Sequence, residues 1–166
     1  MSNVFAELLQ LKIRREQGAE RRLILSRLEA RNAAENVTKL ETRLQEYRDW
    51  MVERQDQMFD DICEKTVKVR AIEELRTRIL MLRDEEQIIE TSIDDARKAH
   101  QAALEEVHSC EQRLKEATRQ REKFEDLAES YDTELREALA YKEEMEMEEF
   151  TSPVMIESWE EEQHGW

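Results

Sequence analysis

Between Gly18 and Pro153 the chain runs for more than 130 consecutive residues without a glycine or a proline. These two residues are the strongest interrupters of regular structure, so a run of this length is compatible with helix and with little else. Charged side chains make up 40% of the sequence and aromatic ones 6%, too little large apolar volume to fill a globular enzyme core. A composition this polar could equally describe a disordered segment, and what separates the two is an apolar period.

The period is most regular in the second half. Alternate steps of four and three residues from Ile89 to Met145 meet seventeen positions, of which only His100, Arg121 and Lys142 are polar. Such a stripe keeps a helix in contact with one partner helix along its length. Five of the positions are alanine (Ala96, Ala103, Ala117, Ala128, Ala138), and small seam residues let two backbones approach closely. The three polar positions either fix register or extend their ends to water. A related stripe in the first half, from Ala33 through Val37, Leu40, Leu44 and Tyr47 to Met51, supplies the partner. Upstream, Ile13, Leu23, Ile24, Leu25 and Leu28 spread over more than one face, which predicts either a broader core or a partner-binding surface there.

The chain reverses best at residues 63–70, where Thr66, Val67 and Val69 place three β-branched side chains in four positions. The expected fold is all-α: an antiparallel coiled-coil hairpin of helices over 3–63 and 70–149, roughly 90 and 120 Å long at about 1.5 Å per residue. Residues 1–150 form one hairpin domain, with positions beyond about 130 overhanging the first helix. Thr151, Ser152 and Pro153 stop the second helix and begin an acidic tail, 151–166, in which Trp159 and Trp166 are candidate anchors. Cys63 falls beside the turn and Cys110 in the seam, too far apart for a disulfide.

No catalytic constellation can be written. Two glycines 147 residues apart make neither a P-loop nor a dinucleotide fingerprint. His100 and His108 lie about 12 Å apart along a helix, too far to share one ion, so neither a metal nor another cofactor is expected. No apolar stretch approaches the roughly 20 residues of a membrane span, and the N-terminus lacks a signal-peptide pattern, so direct membrane insertion is not expected. The formal net charge is −15, but residues 1–83 carry +2 and residues 84–166 carry −17. Lys12, Arg14, Arg15, Arg21, Arg22, Arg27 and Arg31 against Glu16, Glu20 and Glu29 make residues 12–31 basic, at a helix start where the dipole favours acids. Nucleic acid is disfavoured by the acidic helix alongside. The basic stretch is matched either by that helix or by an acidic protein surface, such as the rim or pore of an oligomeric partner.

Particular residues add a resemblance. Tyr47-Arg48-Asp49-Trp50, then Glu53, Gln57, Phe59 and Asp60, a weakly helical break, Leu75, Ile79, Leu82-Arg83 and Glu85, and later Lys123-Phe124 and the run from Glu143 to Phe150 resemble the YscO family. Its members are central-stalk proteins of type III secretion systems, similar to the flagellar FliJ. The resemblance covers roughly residues 5 to 150. It implies a cytoplasmic, non-enzymatic hairpin whose terminal end engages the secretion ATPase, with Lys12, Arg14, Arg15, Arg21 and Arg22 as candidate contacts. It also implies that the export-gate cytoplasmic domain, or secretion chaperones under escort, meet residues flanking the turn: Leu44, Tyr47, Met51, Leu75, Ile79 and Leu82. Leu40 and Glu86 stand where the flagellar relative carries Gln and His. Two other readings of a long-helix protein remain, an escort factor for secretion chaperones and a scaffold that self-associates through parallel helices.

Overall fold

The computed structural model describes residues 3–64, 66 and 68–161, and side chains as far as Thr151. Two helices account for nearly all of it, α1 (Val4–Cys63) and α2 (Val69–Glu161), and they pack antiparallel as a hairpin. The break falls where the β-branched cluster predicts it; Lys65 and Val67 lie outside the described residues. Helix resumes with the Ala71 N–H donating to the Lys68 carbonyl at 2.9 Å.

The contacts group the chain into two compact units, residues 19–114 and residues 1–18 with 115–166. In the 19–114 unit, Leu23, Ser26 and Ala30 of α1 and Ile89, Ile93, Ala96 and Cys110 of α2 are buried. Serine is admitted there because its hydroxyl donates to the Leu23 carbonyl at 2.9 Å and leaves no orphan donor. Near the turn the inward positions depart from strict heptads. Tyr47, Met51, Gln55 and Met58 on α1, and Ala71, Leu75, Ile79 and Leu82 on α2, follow steps of four, four and three. Eleven residues over three turns average slightly more than 3.6 per turn, which releases the left-handed supercoil that a seven-residue repeat demands. This is why the earlier stripe does not run on evenly toward the turn.

In the other unit, Phe5 faces Tyr131 with ring centroids 5.7 Å apart. Asn3 begins α1 as an N-cap: its Oδ1 accepts from the Phe5 and Ala6 N–H groups at 3.0 and 3.2 Å. Its Nδ2 donates to Asp132 Oδ1 at 2.7 Å, so one side chain both caps α1 and ties it to α2. Beyond that tie every residue of α2 from Asp132 to Thr151 is exposed, with no partner helix among the described residues. The overhang expected from the hairpin geometry is therefore present, and the seam residues Leu135, Ala138, Lys142 and Met145 face water.

One expectation is overturned. Thr151, Ser152 and Pro153 do not stop α2, which continues to Glu161. Proline removes one backbone donor and costs a helix about 3 kcal/mol, and α2 runs through it although its immediate neighbours Thr151, Ser152 and Val154 are weak helix formers. The Thr151 hydroxyl, rather than starting a turn, donates back to the Met147 and Glu148 carbonyls. Residues 162–166, with Trp166, and the side chain of Trp159 lie outside what is described.

Candidate functional site

The basic candidates divide between the units. In the unit containing residues 1–18, Lys12 is half-buried with its ammonium 5.0 Å from the centre of the Phe124 ring, a cation–π contact that ties it to α2. Arg14 and Arg15 are exposed, and neither makes an ion pair among the described residues. Between them and the seam, Glu16 pairs with Arg121, with side chains 17% and 27% exposed. Arg121 also reaches Glu125 at 2.7 Å and Glu122 at 3.7 Å. The hydrogen bond to Glu16 is the main reason the Arg121 guanidinium is held above its ordinary pKa, against partial burial. Of the three polar seam positions, Arg121 is thus the one with a charged partner across the hairpin, the arrangement that fixes register. Lys142 extends into solvent and meets only Glu146 of its own helix at 4.0 Å.

In the unit containing residues 19–114, Arg21 is exposed without an ion pair among the described residues, while Arg22 lies 3.6 Å from Glu106 and Arg27 3.4 Å from Glu111. Glu106 also receives Arg113 at 3.7 Å and the Cys110 thiol at 3.5 Å. Helix α2 therefore neutralises part of the basic stretch and leaves part open. Glu111, four residues before Lys115 on its own helix, meets Arg27 of α1 instead.

Near the turn, Leu44, Tyr47, Met51, Leu75, Ile79 and Leu82 are all half-buried along the inward face of their helices. They support the hairpin, and beside them sits a polar clasp. The Tyr47 hydroxyl is 2.8 Å from the Leu82 carbonyl and 3.1 Å from Glu85 Oε2, and it can donate to either. Arg48 spreads its guanidinium over Glu86, Nε to Oε1 at 2.6 Å, and Glu90, at 2.5 Å. Burial, followed by the hydrogen bond and negative charge of Glu85 and by Glu86, pushes the Tyr47 phenol up to about 12. The Arg48 guanidinium is raised chiefly by its hydrogen bond to Glu86. Thus Glu86, at a seam position, is matched by Arg48. Farther along, Arg97 meets Glu41 at 2.8 Å, and this pair and the Arg48–Glu90 pair border an open groove floored by Leu44 and Ile93.

The sequence reading missed Glu16, Arg48, Glu86 and Glu90 as cross-helix partners. A signal existed: stepping the stripe back from Ile89 by three and four meets Glu86 and then Leu82, and a charge at such a position calls for a partner opposite. Outward, Trp50, Phe59, Leu80 and Met81 are exposed. Among the described residues no group of three or more His, Cys, Asp or Glu is placed to hold a metal ion, and no helix is long and apolar enough to cross a membrane.

The family model described as type III secretion protein YscO matches residues 5–153. The crystal structure of the type III secretion protein YscO from Vibrio parahaemolyticus superposes with a TM-score of 0.83 at 25% identity, covering 88% of this chain and 92% of that one. No curated protein matches the chain.

Proposed function

Because the chain belongs to the YscO family of type III secretion proteins, we propose that it is a non-enzymatic, cytoplasmic stalk component that binds the secretion ATPase and links it to the export gate. The observation that carries this reading is the set of arginines the hairpin leaves unmatched. Arg14, Arg15 and Arg21 are exposed on α1 without an ion pair among the described residues, although α2 is rich in carboxylates and takes up Arg22 and Arg27. Exposed cations that the carboxylate-rich α2 leaves unpaired suit an acidic partner surface. Lys12, Arg14, Arg15, Arg21 and Arg22 are the ATPase contacts in this reading, Lys12 partly through its hold on Phe124.

For the gate, a contact flanking the turn fits the half-buried Leu44, Tyr47, Met51, Leu75, Ile79 and Leu82 as support, with Trp50, Phe59, Leu80 and Met81 as side chains exposed to a partner. The same exposed apolar group supports a second reading, escort of secretion chaperones. The deciding experiment titrates the cognate secretion ATPase with this protein and with a variant carrying Arg14, Arg15, Arg21 and Arg22 as Glu. Faster hydrolysis and hexamer assembly with the native chain, lost in a fully helical variant, is the expected result. No binding and no change with either protein refutes the ATPase role, and chaperone capture by both would then favour the escort.

A further inference from the structure

Three large apolar residues of α1 sit where a two-helix hairpin has no use for them. Leu23, Ser26 and Ala30 turn into the seam, and with about 100° per residue Ile24, Leu25 and Leu28 point away from it. They are 65%, 59% and 50% exposed. The broader core that their spacing could have meant is not formed. Arg21 stands one turn before this cluster and Arg31 one turn after it on the same side, both exposed and without an ion pair among the described residues. Glu29 is the one acid between them. The result is an outward apolar patch bracketed by positive charge.

The complementary chemistry is an acidic helix with an apolar stripe, and the chain itself carries one uncovered. Residues 132–150 of α2 are helical and exposed all round, and hold eight acids against Arg136 and Lys142. Leu135, Ala138, Leu139 and Met145 fall on one face of this segment, and all four are exposed. We infer that the outward face of α1 between Arg21 and Arg31 is a docking site for residues 132–150 of a second copy of this chain. Leu135 and Leu139 of one copy lie on Ile24, Leu25 and Leu28 of the other, and the glutamates flanking them meet Arg21 and Arg31. Such a contact is heterologous, one surface on a different one, so each copy keeps a free donor helix and a free acceptor face unless the arrangement closes. It spans only a few helical turns, less than the roughly 1,200 Å² of a stable complex, so association is weak and dependent on concentration and salt.

This inference goes beyond the stalk reading, and its test leaves Arg14, Arg15, Arg21 and Arg22 in place so that ATPase stimulation is read separately. Sedimentation equilibrium of the full chain is compared with an Ile24→Gln/Leu28→Gln variant and a Leu135→Gln/Leu139→Gln variant, all at exposed helical positions where glutamine is well accepted. The expected result is a weight-average mass rising above the 20.0 kDa monomer with concentration for the native chain. Each variant alone stays at monomer mass, and an equimolar mixture of the two associates again, because each keeps the half that the other lacks. A native chain that remains at 20.0 kDa overturns the inference. So does association that survives in both variants, or a mixture that does not recover.

Discussion

The apolar face of α2 should contribute to stability only as far as α1 covers it, and one pair of substitutions measures this. Ile93 is 4% exposed and Leu139 is 53% exposed, though both are large aliphatic residues within one continuous helix. Ile93→Ala removes three buried carbon groups at about 0.8 kcal/mol each, which gives about 2.4 kcal/mol. A cavity adds to such losses in a deep core, but a seam one layer thick can close on the gap, so a total of about 2.5–3 kcal/mol is expected. Leu139→Ala removes contacts made only with its own helix and substitutes a better helix former, so its effect should stay within about 0.5 kcal/mol. With an m-value of about 2 kcal/mol per M, urea unfolding followed by circular dichroism at dilute protein should show a midpoint lowered by about 1.3 M for Ile93→Ala. The Leu139→Ala midpoint should barely move. Equal losses in the two variants would refute the reasoning, since residues 132–150 would then be covered within a single chain.

Tyr47 makes the hairpin sensitive to alkali. Its phenol ionises near 10 when unfolded and at about 12 when folded, so its contribution is complete below pH 10 and is lost as pH rises toward 12. Discounted for a half-buried group, the effect is no more than about 1 kcal/mol. Melting curves of Tyr47→Phe between pH 10 and 12 should therefore fall less steeply than the native ones, and parallel curves would contradict the assignment. Asn3→Ala removes an N-cap worth about 1 kcal/mol together with the tie to Asp132. Amide exchange should quicken over the first turns of α1 while residues near the turn keep their protection; unchanged exchange at Phe5 and Ala6 would count against the cap. Cys63 is exposed and Cys110 only 1% exposed, so a thiol reagent should modify the first at once and the second only as fast as the hairpin opens. Equal rates would show that the seam at Cys110 is open.

Much of the fold is legible because it rests on local rules. The absence of breakers between Gly18 and Pro153, the four-three stripe and the β-branched cluster at 66–69 determine two helices, their antiparallel pairing and the turn. Helix propensity and side-chain period act over a few residues and need no knowledge of the partner. The family was legible for a related reason, since Tyr47-Arg48, Leu82 and Glu85, which carry the resemblance, are residues that clasp the two helices. Local rules also misled at one place: Pro153 reads as a stop, yet the helix passes through it.

What the sequence could not decide is which charges and which apolar residues find partners. Arg22 and Arg27 carry the same charge as Arg14, Arg15 and Arg21, but only the first two meet glutamates of α2. Glu16 and Glu86 look like ordinary helix-surface acids until Arg121 and Arg48 come to stand opposite them. Leu23 and Ile24 are neighbours of equal hydrophobicity, one 6% exposed and the other 65%. Leu135 and Leu139 share the stripe's chemistry and are left bare because α1 begins only at Val4. The sequence by itself determined that this chain forms two long amphipathic helices. Tertiary structure decided, through which side of each helix faces the other and how far the shorter one reaches, which of their side chains remain for a partner, because burial and charge pairing depend on what stands across the seam.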